Sequence, residues 1–269
     1  MPKKINVLFR KNFNISDEDI TEEFDICSKY LTTVEYRSSV EPDSLVIGRF
    51  SVLPYYHELE LELKTKNCPL INSYDQHLYI ADITNYYEDL KEYTPKTYSE
   101  WYNIPEGAYI VKGKTNSRKQ LWETHMFAQN KKSLMDVLRR IYDDTFISDQ
   151  GIVVREYIPL KRFDTGINGL PITNEWRFFF YKKYLLTFGY YWTNFLECLS
   201  MAVCDDGMID FASRIASIVC EHANFFVLDI GEKEDGGYIL IEVNDGCMSG
   251  ISGCSPTALY SNLKNLLMQ

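Results

Sequence analysis

Residues 224–246, NFFVLDIGEKEDGGYILIEVNDG, constrain the chain more than any other stretch. Two apolar runs flank Asp235-Gly236-Gly237, and a turn of that composition between such runs predicts an antiparallel hairpin. Tyr238 to Ile241 do not alternate with polar residues, so the second strand reads as covered on both faces. It then ends in polar side chains. Asp229 stands near the end of the first strand. Glu242 and Asn244, two apart on its partner, project from one face. If Asp229 pairs opposite them, three oxygen-bearing groups converge. Either the hairpin end is simply solvated or it holds a cation. An all-oxygen set suits a hard divalent ion, and Mg²⁺ takes one or two carboxylates while leaving positions for water and phosphate oxygens.

A magnesium site implies phosphate, and phosphate needs cations nearby. VKGKTNSRK, 111–119, supplies Lys112, Lys114, Arg118 and Lys119, although the spacing of a Walker A loop is absent. Lys112 interrupts the apolar strand Tyr109-Ile110-Val111, where a lysine must snorkel or find a partner; a solvated basic loop is the alternative. Charge recurs inside two further predicted strands. Arg155-Glu156 follows Gly151-Ile152-Val153-Val154, and Glu175 and Arg177 flank Trp176 ahead of FFFY. Glu175 and Arg177 share a face and either pair across the sheet or leave the arginine to grip phosphate or carboxylate. His57, His77, His125 and His222 read as structural, His222 as part of an apolar stripe with Phe211, Ile215 and Ile218.

Strand and helix alternate through residues 1–100. Strands are predicted at 5–9, 34–37, 44–50 and 69–73. Helices are predicted after Ser16, over PYYHELELELK, and through SYDQHLYIADITNYYEDLKEY up to Pro95. Beyond that the pattern becomes α+β. A helix over 133–144 starts on a capping-box-like Ser133/Asp136 pair, strands lie in GIVVREYIPL, EWRFFFYKK and YLLTFGYYW, and helices span 208–223 and 256–267. A net charge of −10 disfavours general nucleic-acid binding. Seven scattered cysteines without CxxC point to reduced thiols rather than zinc or disulfides. No apolar stretch approaches the ~18 residues of a membrane span, so a soluble cytoplasmic protein is expected, with no membrane partner.

Taken in order, VKGKTNSRKQLW, VVREY, EWRFFF, VLDIG and IEVNDG resemble the ATP-grasp superfamily, and within it the divergent clade named for one arginine and two lysines. PLINS followed by TPKTY is similar to that family's preceding domain. The resemblance implies an α/β plus α+β ATP-grasp fold, with residues 1–104 as an N-terminal α/β domain and 105–269 as the ATP-grasp domain. The latter divides into a nucleotide-binding part, 105–158, and a metal-binding part, 159–269. It implies Lys112 and Lys119 on the ATP phosphates with Lys114 as a helper, and Glu156, Tyr157 and Ile158 beside adenine, where a strand edge offers backbone groups. Arg177, or else Arg155, would face the transferred phosphoryl group, and Asp229, Glu242 and Asn244 would hold Mg²⁺. The activity implied is ATP-dependent carboxylate–amine ligation through an acyl phosphate, on an amino acid, peptide or protein. An ATP-binding assembly chaperone is the alternative, and a kinase a third reading. A glycine-rich phosphate loop, usual in the superfamily, is missing.

Overall fold

Three parallel strands open the chain. The computed structural model describes residues 4–10 and 18–269. In it, β1 (Lys4–Phe9) lies between β2 (Thr32–Val34) and β3 (Ser44–Arg49). The helix α1 (Glu18–Cys27) leads from β1 toward β2; its expected cap, Ser16, lies outside the described residues. β2 stops at Val34 rather than Arg37, because residues 37–39 wind into a 3-10 turn. The helix α2 (Tyr56–Lys64) buries Tyr56, Leu59 and Leu63 as its spacing predicts.

PLINS makes only one parallel bridge, Leu70 opposite Val46, and not a strand. Its Asn72 is fully buried and ties this segment to the distant hairpin. Asn72 Oδ1 accepts from the Asn224 and Phe225 amides at 3.1 and 2.9 Å, and Nδ2 donates to Phe225 O at 2.7 Å and Asp245 Oδ1 at 3.0 Å. Asn72→Ala leaves the Asn224 and Phe225 amides without that acceptor and removes one donor each from Phe225 O and Asp245 Oδ1, which keep the Gly246 and Cys247 amides. A buried unsatisfied group costs roughly 1–3 kcal/mol, so we expect a loss of about 2–4 kcal/mol in urea unfolding, and a loss under about 1 kcal/mol would refute this role.

The single helix expected over 73–94 is two. α3 (Tyr74–Ala81) ends at Asp82, whose backbone is extended and whose carboxylate caps α4 (Ile83–Leu90) through Thr84 N–H at 2.8 Å. α4 stops short of Pro95, and β4 (Thr97–Tyr98) follows.

The second sheet has the order β4, β7 (Ile152–Glu156), β5 (Tyr109–Gly113), β6 (Phe127–Ala128), all antiparallel. α5 (Lys131–Asp143) covers it with Leu134, Val137, Leu138 and Ile141, and α6 (Thr145–Ser148) follows. The capping box of α5 is Asn130 with Ser133, not Ser133 with Asp136, because the helix begins two residues earlier than its apolar face shows.

A two-stranded ribbon, β8 (Arg162–Thr165) with β9 (Pro171–Thr173), leads to the third sheet. There β10 (Glu175–Tyr181), β11 (Tyr184–Tyr190), β12 (Phe225–Glu232) and β13 (Tyr238–Asp245) run in the order β11-β10-β12-β13. The FFF run explains why this sheet is central. Phe178 and Phe180 face α3, α4 and α8 (Asp206–Val219), while Phe179 faces α9 (Pro256–Leu267) and the first sheet. All three are fully buried, each contributing about 1.5–3 kcal/mol of transfer free energy. The short α7 (Leu196–Leu199) follows β11.

The core face of α8 is Met208, Ala212, Ile215, Ala216 and Val219. The helix ends at Val219, so His222 falls beyond it and stacks on Tyr79 instead of continuing a stripe. The Asp235–Gly237 turn forms as predicted, with positive φ at Gly236 and Gly237. Among the described residues, no helix is long and apolar enough to cross a membrane.

Candidate active site

The register of the third sheet assembles the site. Arg177 on β10 pairs opposite Asp229 on β12, and Asp229 pairs opposite Glu242 on β13, giving one cross-strand row. Strict alternation would not achieve this. Leu240 and Val243 both belong to the core on the α8 side, which requires an extra residue between them. The register shifts there: Ile230 pairs with Leu240, so Ile241 bulges out. A bulge re-aims the side chains that follow it, and here it turns Glu242 and Asn244 toward the face carrying Asp229.

The charges in that row are matched closely. Arg177 holds Asp229 with two parallel hydrogen bonds, Nε–Oδ1 and Nη2–Oδ2, both 2.8 Å, and donates to Gly250 O through Nη1 at 2.8 Å. Asp229 is fully buried. Burial alone would lower the guanidinium pKa, but Asp229 outweighs it and the shift is upward. Asn244 Nδ2 sits 3.4 Å from both Asp229 Oδ2 and Glu242 Oε2. Lys112, on the facing strand β5, contacts Glu242 Oε1. Burial pushes its ammonium down, Arg155 and Lys119 push the same way, and Asp229 opposes them without reversing the shift.

Lys119 comes from the basic segment after β5. Its Nζ donates to Tyr191 OH at 2.8 Å and lies 4.1 Å from the centre of that ring, with Arg177 Cζ 4.8 Å from the same centre. Burial lowers the Lys119 pKa, yet Tyr191, Glu175 and Asp229 together raise it. Two cations thus share one tyrosine. That residue lies in the aromatic run 187–195, whose composition reads equally as the lining of an acceptor pocket or as a core strand.

Two cavities meet here. One of about 630 Å³ is lined by Lys119, Arg177, Tyr191, Glu242 and Asn244. A narrower one of about 120 Å³ is lined by Lys112, Glu156, Tyr157, Ile158, Glu175 and again Lys119 and Glu242. At the inner end, Glu156 N–H donates to Lys96 O at 2.8 Å and Tyr157 N–H to Ala108 O at 2.9 Å, so those two strand-edge donors are spent. The Ile158 amide has no backbone hydrogen-bond partner among the described residues.

The other charged candidates are engaged by protein partners. Arg155 lines the narrow cavity, but its guanidinium is bonded to Thr94 Oγ1 and Ile241 O, both at 2.6 Å, and to Thr97 Oγ1 at 3.2 Å. It staples β7 to the bulge instead of facing open space. Lys114 lines neither cavity and stands 3.8 Å from Asp82. Arg118 pairs with Asp144. Glu175 does not pair with Arg177, which is taken by Asp229. Asp245 is the last residue of β13 and buried. It accepts from Asn72 and the Cys247 amide and meets His77 Nδ1 at 2.9 Å.

A divalent cation fits the row on chemical grounds. Asp229 and Glu242 are hard oxygen donors, and Asn244 presents its amide to both, with nitrogen and oxygen exchangeable by rotation of that amide. Among the described residues no three His, Cys, Asp or Glu side chains cluster as a metal set. A cation here would therefore rest on two carboxylates, the amide and ligand oxygens, the pattern that suits Mg²⁺.

Comparison with known proteins places the fold. No curated protein matches the sequence. Among solved structures, a RimK domain ATP-grasp protein from Sphaerobacter thermophilus is similar over 98% of this chain and 100% of its own, at 13% identity and a TM-score of 0.60. The D-cycloserine synthetase DcsG is similar over 98% and 99%, at 12% identity and a TM-score of 0.62. The ATP-grasp ligase PsnB, solved with the precursor peptide PsnA2 and AMPPNP, is similar over 100% and 98%, at 9% identity and a TM-score of 0.59. At these identities the likeness is one of fold. The ATP-grasp domain of family 3 in the one-arginine, two-lysine clade matches residues 88–263, which is most of the chain. With that family's pattern running across the second and third sheets, the chain belongs to the ATP-grasp superfamily, in the third family of the clade named for one arginine and two lysines.

Proposed function

We propose that the chain is an ADP-forming ligase that uses ATP and Mg²⁺ to join a carboxylate to an amine on an amino acid, peptide or protein. The observation that carries this is the row Arg177–Asp229–Glu242, with Lys112 of the second sheet in contact with its Glu242 end. The proposal keeps the division at residues 104 and 105, with β4 reaching forward into the second sheet. A reducing, cytoplasmic setting accords with seven unpaired thiols.

In this reading Lys112 and Lys119 bind ATP phosphate oxygens, and the narrow cavity takes the nucleoside. Ile158 N–H, two residues beyond Glu156, replaces Tyr157 as the backbone donor for the base. Asp229, Glu242 and Asn244 would hold Mg²⁺, which supplies charge neutralisation on the phosphates. A carboxylate oxygen of the substrate attacks the γ-phosphorus, the bond to ADP breaks, and an acyl phosphate forms. The amine nitrogen then attacks the acyl carbon, phosphate leaves, and the amine gives up a proton. Arg177, held in place by Asp229, keeps a fixed positive charge beside the developing oxyanion without reorganisation during the step. Tyr191 separates the phosphate cavity from a wider one of about 930 Å³ lined by Trp192, Phe195 and residues 250–254, which is suited to the acceptor. That the similar ligase PsnB was solved with a precursor peptide supports a peptide-sized acceptor.

Hydroxylamine tests the reaction class. With Mg-ATP and a panel of amino acids and peptides, we expect ADP and hydroxamate to appear together. ADP without hydroxamate would mean phosphoryl transfer that stops there, and neither product across the panel would mean a nucleotide-binding assembly factor. Each of these outcomes overturns the ligase reading.

A further inference from the structure

Lys119 is carried by a stretch with no glycine between Gly113 and Gly151. Backbone without glycine has fewer accessible conformations, and this stretch winds into two tight turns, a 3-10 turn at Lys119–Leu121 and a π turn at Trp122–Met126. One set of bonds ties it to the helices over the second sheet and the residues that follow them. Arg118 grips Asp144, Asn116 Nδ2 donates to Gln150 Oε1 at 3.0 Å, and Arg140 Nη1 donates to Thr124 O at 3.1 Å. Arg177, Tyr191 and Glu242, beside which Lys119 has to work, stand on or next to the third sheet instead.

The ribbon β8–β9 bridges that gap. Its root belongs to the third sheet, where Lys161 N–H donates to Glu232 O at 2.9 Å and Asn174 N–H to Lys161 O at 2.8 Å. Its tip, Ile167–Gly169, reaches the Lys119 segment. Asn168 Nδ2 donates to Gln120 O at 2.7 Å, the carbonyl one residue past Lys119. Trp122 packs into the cluster of Leu170 and Ile172, which follow the tip. A Cβ on Gly169 would overlap the Glu123 carboxylate.

Asn168 and Gly169 are consecutive residues with positive φ, 51° and 75°. Glycine enters that region without steric cost, and asparagine is one of the few other residues that do so readily. Reversing the chain accounts for those conformations. It does not account for a side-chain amide bonded to a segment 48 residues away, nor for an approach so close that Glu123 leaves no space for a methyl group. A lysine has a flexible stem, so a fixed ammonium needs both its backbone and its head held. Tyr191 OH accepts from the head at 2.8 Å. Asn168 holds the backbone next to it, and both ends of Lys119 are then referred to the third sheet.

We propose that Asn168 is a positioning residue for Lys119, and that the ribbon tip sets the ammonium in place before the nucleotide arrives. The inference rests on the reading of Lys119 as a phosphate ligand. Groups ordered in advance do not have to be ordered on binding, and affinity rises by the cost avoided.

Calorimetric titration of the full chain with Mg-ATP tests this. Asn168→Gly keeps the left-handed backbone and removes the amide, and should weaken Mg-ATP about three- to tenfold, the net worth of one hydrogen bond. That loss must run through Lys119, so in a Lys119→Met background the same change should alter affinity by less than about twofold. An equal loss in both backgrounds overturns the inference, because the tip then acts on something else. Where Lys119→Met binds too weakly to measure, amide exchange of the nucleotide-free chain decides. Asn168→Gly should speed exchange over residues 119–123 and leave β10 and β12 at wild-type rates; unchanged exchange there, or acceleration throughout, overturns it. Should Asn168→Gly fail to fold, Asn168→Asp, of the same shape but with an acceptor facing Gln120 O, must show the loss instead. A wild-type chain that does not bind Mg-ATP overturns the nucleotide reading, whereas tight binding that survives Asn168→Gly overturns this inference alone.

Discussion

Asp229→Ala takes ADP formation to background and lowers the unfolding midpoint of the unliganded protein in the same experiment. The two effects have separate causes. Asp229 is fully buried and takes both ends of the Arg177 fork at 2.8 Å. Without it the guanidinium keeps, among the described residues, its hydrogen bonds to Gly250 O and the more distant Ser252 Oγ, at 2.8 and 3.4 Å. Removing one member of a buried ion pair leaves the other uncompensated and costs about 3–5 kcal/mol. A urea titration reads that loss directly. The functional loss comes from the proposed cation, which would keep one carboxylate instead of two, and from an arginine no longer fixed where charge develops. Loss of one placed charge commonly reduces rate by ~10²–10³. Asp229→Asn keeps the volume and one acceptor oxygen, so it should recover part of the stability and little of the turnover. Near-wild-type ADP release by Asp229→Ala would remove the row from the active site.

The hairpin that carries Asp229 is legible in the sequence because its signals are local. Asp235-Gly236-Gly237 specifies the turn and the apolar runs specify the strands; β12 is buried on both faces, but β13 is the sheet's edge strand and leaves Tyr238, Ile239 and Ile241 half-buried, so the expected double cover fails there. The helix over 256–267 likewise shows both its boundaries, with Ser255 capping and Pro256 at the first turn. What sequence spacing could not show was the bulge at Ile241. Period-two reasoning places Glu242 on the same face as Leu240, and only the pairing with β12 reveals the extra residue. Contacts between distant segments were equally hidden. Asn72 reaches Phe225 and Asp245 across more than 150 residues of chain, and Arg49 reaches Gly246 O while bonding Glu23 at 2.7 Å. Neither segment carries a pattern that names its partner. Arg155 shows the converse error. Charge inside a strand marked it for ligand binding, but Thr94, Thr97 and Ile241 O satisfy it, so the oddity was structural.

Lys112→Met should separate binding from stability in the opposite sense to Asp229→Ala. Lys112 is 4% exposed, with Arg155 and Lys119 as like-charged neighbours, so the folded state gains little from its charge. Its partner Glu242 borders the 630 Å³ cavity and keeps 17% of its side chain exposed, which lets water take over part of the lost contact. Methionine fills the aliphatic path of the lysine without the ammonium. Stability should therefore change by no more than about 1–2 kcal/mol, the range for losing one charged hydrogen bond whose acceptor is re-solvated. Nucleotide affinity should fall far more. A charge-assisted bond to phosphate is roughly twice as strong as a neutral one, and in this cavity Glu242 would face the phosphates with no cation between them except a metal. We expect Mg-ATP affinity to drop on the order of 10²-fold, read by the same calorimetric titration, while the urea midpoint stays close to wild type. Retained affinity would show that Lys112 neutralises Glu242 and does nothing for the nucleotide. A collapse of stability with affinity intact would make the pair structural. A residue that folding barely rewards but the ligand requires is expected where a protein sacrifices stability for a site, and the contrast with Asp229, which serves both, is the measurable difference between the two halves of this charged cluster.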